Sequence, residues 1–151
     1  MEPFDKKYMH LALEQGKEAK LSGEWPFGAV IVSGDKVIAQ NRCTENASKN
    51  VLAHAELQAV NDACKTLGRN KLNDCVIYCT NEPCLMCASA IIQAKIPKVV
   101  IGASRTDMPN LLRERKLKIE DLASDAGYDL EIVKGILKDE VLQSFADIQK
   151  K

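Results

Sequence analysis

The chain lacks a surplus of either charge: Lys plus Arg and Asp plus Glu both total 21. A dedicated nucleic-acid binder usually carries a basic excess, so the balance counts against a large phosphate footprint and leaves room only for a local patch. No apolar run is long enough to span a bilayer. The first residues, Met1 to Lys7, run straight into charge without the apolar stretch of a secretion signal. Six cysteines in such a chain read as reduced thiols and metal ligands, and a cytoplasmic protein is expected. Histidine is scarce, with two in the chain. His10 falls within an amphipathic segment and reads as solvated or partly packed.

What is present suggests one α/β domain over residues 1–151, without repeats, low-complexity tracts or linkers. Asp5 to Ser22 places Tyr8, Leu11, Ala12, Gln15 and Ala19 on one helical face, with Gly23 at the stop. Two β-rich runs, 27–32 and 36–41, flank a Gly34-Asp35 turn and predict a hairpin. Arg42 to Asn50 reads as a loop. A helix carrying His54, Leu57, Val60, Cys64 and Leu67 ends at Gly68. Cys75 to Thr80 predicts a strand, Pro83 to Ala94 a helix and Lys98 to Gly102 another strand. Strand, helix, strand in that order predicts a parallel crossover. A short helix is expected over 110–116, a last strand over 129–134 and a terminal helix over 137–149, with Val141, Leu142, Phe145 and Ile148 inward.

The chemistry concentrates in His54-Ala55-Glu56 and Pro83-Cys84-Leu85-Met86-Cys87. Cysteines three apart share a face if a helix begins at Pro83, since proline suits a first turn whose amide lacks an intrahelical partner. Thiolates there are stabilised by the positive helix end. With a neutral imidazole they form a Cys/Cys/His set suited to zinc, and three ligands leave a fourth tetrahedral position open, as catalytic zinc sites do. Glu56 stands two residues beyond His54, off its helical face, and suits proton transfer rather than ligation. The ring nitrogen of His54 that faces away from a metal calls for an acceptor that no local pattern identifies. A structural knuckle would need Cys75 or Cys79 as a fourth ligand, but both sit in a strand-like run and read as buried apolar residues, and Cys43 and Cys64 as inert thiols.

The pattern His-x-Glu followed by Pro-Cys-x-x-Cys resembles the cytidine deaminase superfamily over most of the chain. Phe27-Gly28-Ala29-Val30-Ile31-Val32, Ala53-His54-Ala55-Glu56, Ala63-Cys64-Lys65 and Glu82 to Cys87 look most like bacterial guanine deaminases. Ala90-Ile91-Ile92-Gln93 is closer to cytosine and tRNA adenosine deaminases, and the tail Ile132 to Glu140 is similar to the latter. The resemblance implies a three-layer fold with a mixed five-stranded sheet flanked by helices, assembled as a homodimer. It implies a zinc ion (Zn2+) on His54, Cys84 and Cys87, Glu56 as proton shuttle, and substrate contacts from Asn41, Phe27 and Ala55.

Three readings follow. The first is deamination of a free nucleobase or nucleoside, guanine foremost. The second is a tRNA adenosine deaminase using a basic face of Lys95, Lys98, Arg113, Arg115, Lys116 and Lys118. The third is a non-catalytic zinc module, which would have no need of Glu56.

Overall fold

A computed structural model describes residues 3–148. Helix α1 (Pro3–Leu21) carries Asp5 in its first turn and Lys20 in its last, both matched to the helix dipole. Strands β1 (Gly28–Ser33) and β2 (Lys36–Arg42) form the expected hairpin. After it come α2 (Glu45–Ser48), α3 (Ala55–Leu67), β3 (Cys75–Asn81), α4 (Leu85–Gln93) and β4 (Lys98–Ala103). Then follow α5 (Ile119–Asp125), β5 (Glu131–Lys134) and α6 (Lys138–Ser144).

The sheet has five strands in the order β2-β1-β3-β4-β5. β1 is antiparallel to β2 and β3, whereas β3, β4 and β5 are mutually parallel along the sheet. This is the expected mixed sheet with the predicted β3-α4-β4 crossover. Alternation along the strands divides the core. Ala29, Ile31, Ile77, Cys79, Val99 and Ile101 meet α3, α4 and α5, while Val30, Val32, Tyr78 and Val100 meet Tyr8, Met9 and Ala12 of α1. Each fully buried Ile or Val contributes about 1.5–3 kcal/mol. The first face is lined with small residues: Ala55, Ala59 and Ala63 on α3 and Ala88 on α4 are buried there. They let α3 and α4 lie in contact with each other.

Two glycines set the approach of α1 to β1. A Cβ on Gly28 would stand 2.0 Å from the Ala12 carbonyl oxygen, and one on Gly16 would stand 2.6 Å from that of Pro26. Neither position admits a side chain, and the contact anchors the strand entry that carries Phe27.

Several boundaries differ from expectation. The cysteine helix starts at Leu85, with Cys84 as its N-cap, rather than at Pro83. His54 is likewise the N-cap of α3 and lies before its first turn. The expected loop at 42–50 contains the single turn α2, whose amides at Asn46 and Ala47 donate to the buried Glu24 carboxylate at 2.9 and 2.8 Å. No helix forms over 110–116. Leu111 and Leu112 are adjacent rather than spaced for a helical stripe, and both pack against the cluster of Leu13, Val141 and Phe145. A 3₁₀ turn at Arg105–Asp107, closed reciprocally by Ser104 and Asp107, and α5 take its place. The terminal helix is shorter than expected; Val141 and Phe145 are buried, and Gln149 lies outside the described residues. His10 is exposed, as expected.

Candidate metal centre and adjoining cavity

The contact between α3 and α4 brings two helix N-termini together. Each cap residue gives its carbonyl to the first intrahelical bond, His54 to Gln58 at 3.0 Å and Cys84 to Ala88 at 2.8 Å. Neither side chain caps its own helix, so both are available at the positive helix ends. Cys87 lies in the first turn of α4 and is fully buried.

His54 Nδ1 stands 3.5 Å from Cys84 Sγ and 3.6 Å from Cys87 Sγ. The ligand atoms of all three lie within 4.8 Å of one another. Tetrahedral zinc, with Zn–S about 2.3 Å and Zn–N about 2.0–2.1 Å, separates sulfur from nitrogen by about 3.5–3.6 Å. The donor set therefore fits such an ion. Cys84 is pushed down to about 3, first by the hydrogen bond from Cys87 and further by His54. The same bond pushes Cys87 upward, so the pair shares one proton. His54 is raised, chiefly by its bond with Cys84.

The other thiols behave differently. Burial raises Cys43 and Cys79, and it pushes Cys75 up to about 11 with help from the Asp74 carboxylate. Neither Cys75 nor Cys79 joins the His54 group among the described residues, which removes the fourth ligand of a structural knuckle.

The second-sphere acceptor for His54, which no local pattern revealed, is Glu45. Its carboxylate lies 3.4 Å from His54 Nε2. This contact orients the ring with Nδ1 toward the sulfurs, as carboxylates commonly do for metal-bound histidines. Glu45 opens α2, and α2 is held by Glu24, so two carboxylates in series position the imidazole.

Glu56 lies in the first turn of α3 and is 8% exposed. Burial pushes its carboxyl up to about 7, against a hydrogen bond from its own backbone N–H, while the Cys84 charge raises it further. A carboxyl near neutrality can both take and give a proton. It faces a cavity of about 160 Å³ also lined by His54, Cys84, Trp25, Phe27, Asn81, Glu82, Arg105 and Leu112. Trp25 stacks on Phe27 with ring centroids 5.8 Å apart, and Phe145 supports both at 6.1 and 5.6 Å. Glu82 accepts the Arg105 backbone N–H at 3.1 Å and ties the 3₁₀ turn to the start of α4.

Of the residues singled out in the sequence, the structure brings together His54, Glu56, Cys84, Cys87 and Phe27. It does not bring Asn41 to the cavity. Asn41 sits on the outer strand β2, and its side-chain amide donates to Asp62 of α3 at 2.8 Å. Ala55 is fully buried in the core beneath α3 and is not among the lining residues. Trp25, Asn81, Arg105 and Leu112 escaped sequence reasoning, and Glu82 entered it only as the first residue of the cysteine motif. The one available signal was the lone tryptophan of the chain, standing two residues before Phe27.

The supposed basic face is divided. Lys98 begins β4, at the end opposite Ala103, and is engaged by Asp5 at 3.6 Å and Glu131 at 3.8 Å. Lys95 lies over the Tyr128 ring. Arg113, Arg115, Lys116 and Lys118 follow Leu112 in the segment that borders the cavity.

A family model described as MafB19-like deaminase matches residues 4–140. The chain belongs to that family. A tRNA-specific adenosine deaminase of Bacillus subtilis (strain 168) is 36% identical over 143 residues, covering 90% of this chain and 83% of that protein. The guanine deaminase of the same bacterium is 42% identical over 128 residues, covering 85% of this chain and 70% of that one. A solved structure from work on A-to-I editing by tRNA:A34 deaminases superposes with a TM-score of 0.79 at 30% identity, covering 91% of this chain and 98% of the other. This deaminase is thus an enzyme, a hydrolase that replaces an amine with a carbonyl, and the non-catalytic reading falls away.

Proposed function

We propose that this deaminase acts on a free nucleobase, guanine foremost, releasing ammonia, and that it does so as a one-domain zinc enzyme. The observation that carries the reading is the size and lining of the cavity beside Glu56. At about 160 Å³ it lies well below the roughly 300–1,000 Å³ of pockets for larger ligands and suits a flat ring held against Trp25 and Phe27. The higher identity to the guanine deaminase over the aligned part points the same way.

His54, Cys84 and Cys87 would hold the zinc ion. Bound there, zinc would supply Lewis-acid activation of a water, lowering its pKa from 15.7 to about 7. Glu56 would accept a proton from the attacking water and give it to the ring nitrogen, then take the remaining proton from the hydroxyl on the tetrahedral ring carbon and deliver it to the departing amine as the carbonyl forms. Trp25 and Phe27 would exclude bulk water from the ring, and Glu45 would keep the His54 ring in register.

A tRNA adenosine deaminase is the second reading. It is favoured by the basic residues Arg113, Arg115, Lys116 and Lys118, which follow the lining residue Leu112 in the chain, and by 36% identity over 90% of the chain. Cytosine deamination is a third possibility that the same chemistry permits. Ammonia release from guanine, adenine, cytosine, their nucleosides and tRNA decides among them. Turnover on guanine is expected; inosine formation in tRNA with no turnover on any small base would overturn the assignment.

The working form is a homodimer in this reading, supported by the exposed Val51 and Leu52 just before His54, and sedimentation would check it. The six free cysteines suit a reducing cytoplasm.

A further inference from the structure

Asn81 ends β3 in the wall of the Glu56 cavity and is 4% exposed. Its side-chain nitrogen meets Met108 Sδ at 4.0 Å. A thioether accepts weakly and never donates, so this neighbour fixes the NH2 end and leaves Oδ1 as the free end. That oxygen is closed to water and has no hydrogen-bond partner among the described residues. An apolar residue would satisfy such a wall at lower cost, and an orphaned buried acceptor calls for an explanation. Asn41 Oδ1 is also orphaned, but Asn41 lies away from the cavity and its nitrogen is well paired with Asp62. Asn81 is the case in which both ends of the amide lack a strong partner and a ligand site adjoins.

We infer that Asn81 is a specificity residue that reads a lactam edge of the substrate, its Oδ1 accepting a ring N–H and its Nδ2 donating to the adjacent carbonyl. The inference rests on the proposed deaminase reading and narrows its substrate class. Oδ1 is closed off in this conformation, but the torsion between Cβ and the amide is broad, and rotation about it brings the amide edge toward a bound ring. The reacting amine is consumed and cannot serve as the lasting contact. Guanine keeps an N–H beside C6=O, and free cytosine keeps one beside C2=O. Glycosylated adenine has only acceptors left on its ring. The amide therefore favours a lactam-bearing base and disfavours adenosine, whether free or within RNA.

The test uses zinc-loaded protein carrying Glu56→Gln, so that ligands bind without turnover, with guanine and adenosine as calorimetric probes. Asn81→Leu should weaken guanine binding by about 10- to 100-fold, the loss expected when a polar contact is removed from a buried site. Adenosine binding should stay within about twofold, and the thermal midpoint should hold or rise, because the orphaned acceptor is gone. Asn81→Ser carries the same test should the leucine variant fail to fold. Unchanged guanine affinity in both variants, or preference of the intact protein for adenosine over guanine, overturns the role of Asn81. Absence of ammonia from every substrate with the unsubstituted enzyme overturns the deaminase reading separately, because the binding comparison does not depend on turnover.

Discussion

Asp5 and Glu56 are both buried carboxylates, placed on opposite faces of one sheet, and their surroundings differ in kind. Asp5, on α1, accepts the Tyr78 hydroxyl at 3.0 Å and faces Lys98 Nζ at 3.6 Å. Its charge is met within the protein, and it serves to dock α1. Glu56, on α3, accepts a bond from its own amide and otherwise faces a cavity, and burial pushes it up to about 7. One carboxylate is satisfied and structural, whereas the other is kept short of partners and able to exchange protons. The two core faces differ in the same sense. The α1 face packs Tyr8, Met9 and Tyr78, and the α3 face packs alanines that bring two helix ends within ligand distance of each other. Burial alone therefore does not mark a functional carboxylate; the number of partners does.

Four substitutions would break or sharpen this contrast. Cys84→Ser should have the largest effect, emptying the metal centre and abolishing turnover; elemental analysis against the unsubstituted protein checks it, and full metal retention would remove Cys84 from the ligand set. Glu56→Gln should keep fold and metal while lowering kcat by at least about 10²–10⁴-fold, the usual share of general acid–base catalysis. Near-normal ammonia release by the metal-loaded variant would show that Glu56 is no more a proton carrier than Asp5.

Asp5→Ala should do the reverse. Loss of the buried acceptor that takes the Tyr78 hydroxyl bond and faces Lys98 costs about 1–3 kcal/mol of stability, with turnover per folded molecule preserved. Denaturant unfolding paired with a specific-activity measurement separates the two effects. Glu45→Ala should have the smallest effect, weakening metal affinity by about tenfold without altering the ligands, the lower end of the range for an orienting partner because this carboxylate is exposed. Competition with a chelator measures it, and unchanged affinity would reduce the contact with His54 to a surface ion pair.

Local pattern was enough for much of this molecule. The periodicities of α1, α3 and β1 to β4 are short-range, and so is the spacing within each candidate motif: Cys84 and Cys87 lie three apart and His54 precedes Glu56 by two. Even there the helix starts were misplaced, because capping at His54 and Cys84 comes from backbone geometry rather than from a standard cap side chain. The segment 104–127 resisted reading, since Leu111 and Leu112 answer to a cluster built from α1 and α6 rather than to any helical stripe of their own.

The sequence by itself determined the α/β class, the identity of the three candidate ligands and the carboxylate beside them, because each follows from spacing within a few residues. Tertiary structure alone decided which groups surround that carboxylate. Trp25, Asn81, Arg105 and Leu112 come from separate stretches of the chain and meet only once the sheet is assembled. Glu45 reaches His54 because Glu24 holds α2 in place. Asn41, which only the family resemblance brought to the substrate, is turned to Asp62 by the packing of β2 on α3. Long-range contacts of this kind carry no local signature, which is why spacing gave the ligands, the motif's family resemblance gave the reaction, and neither gave the shape of the site.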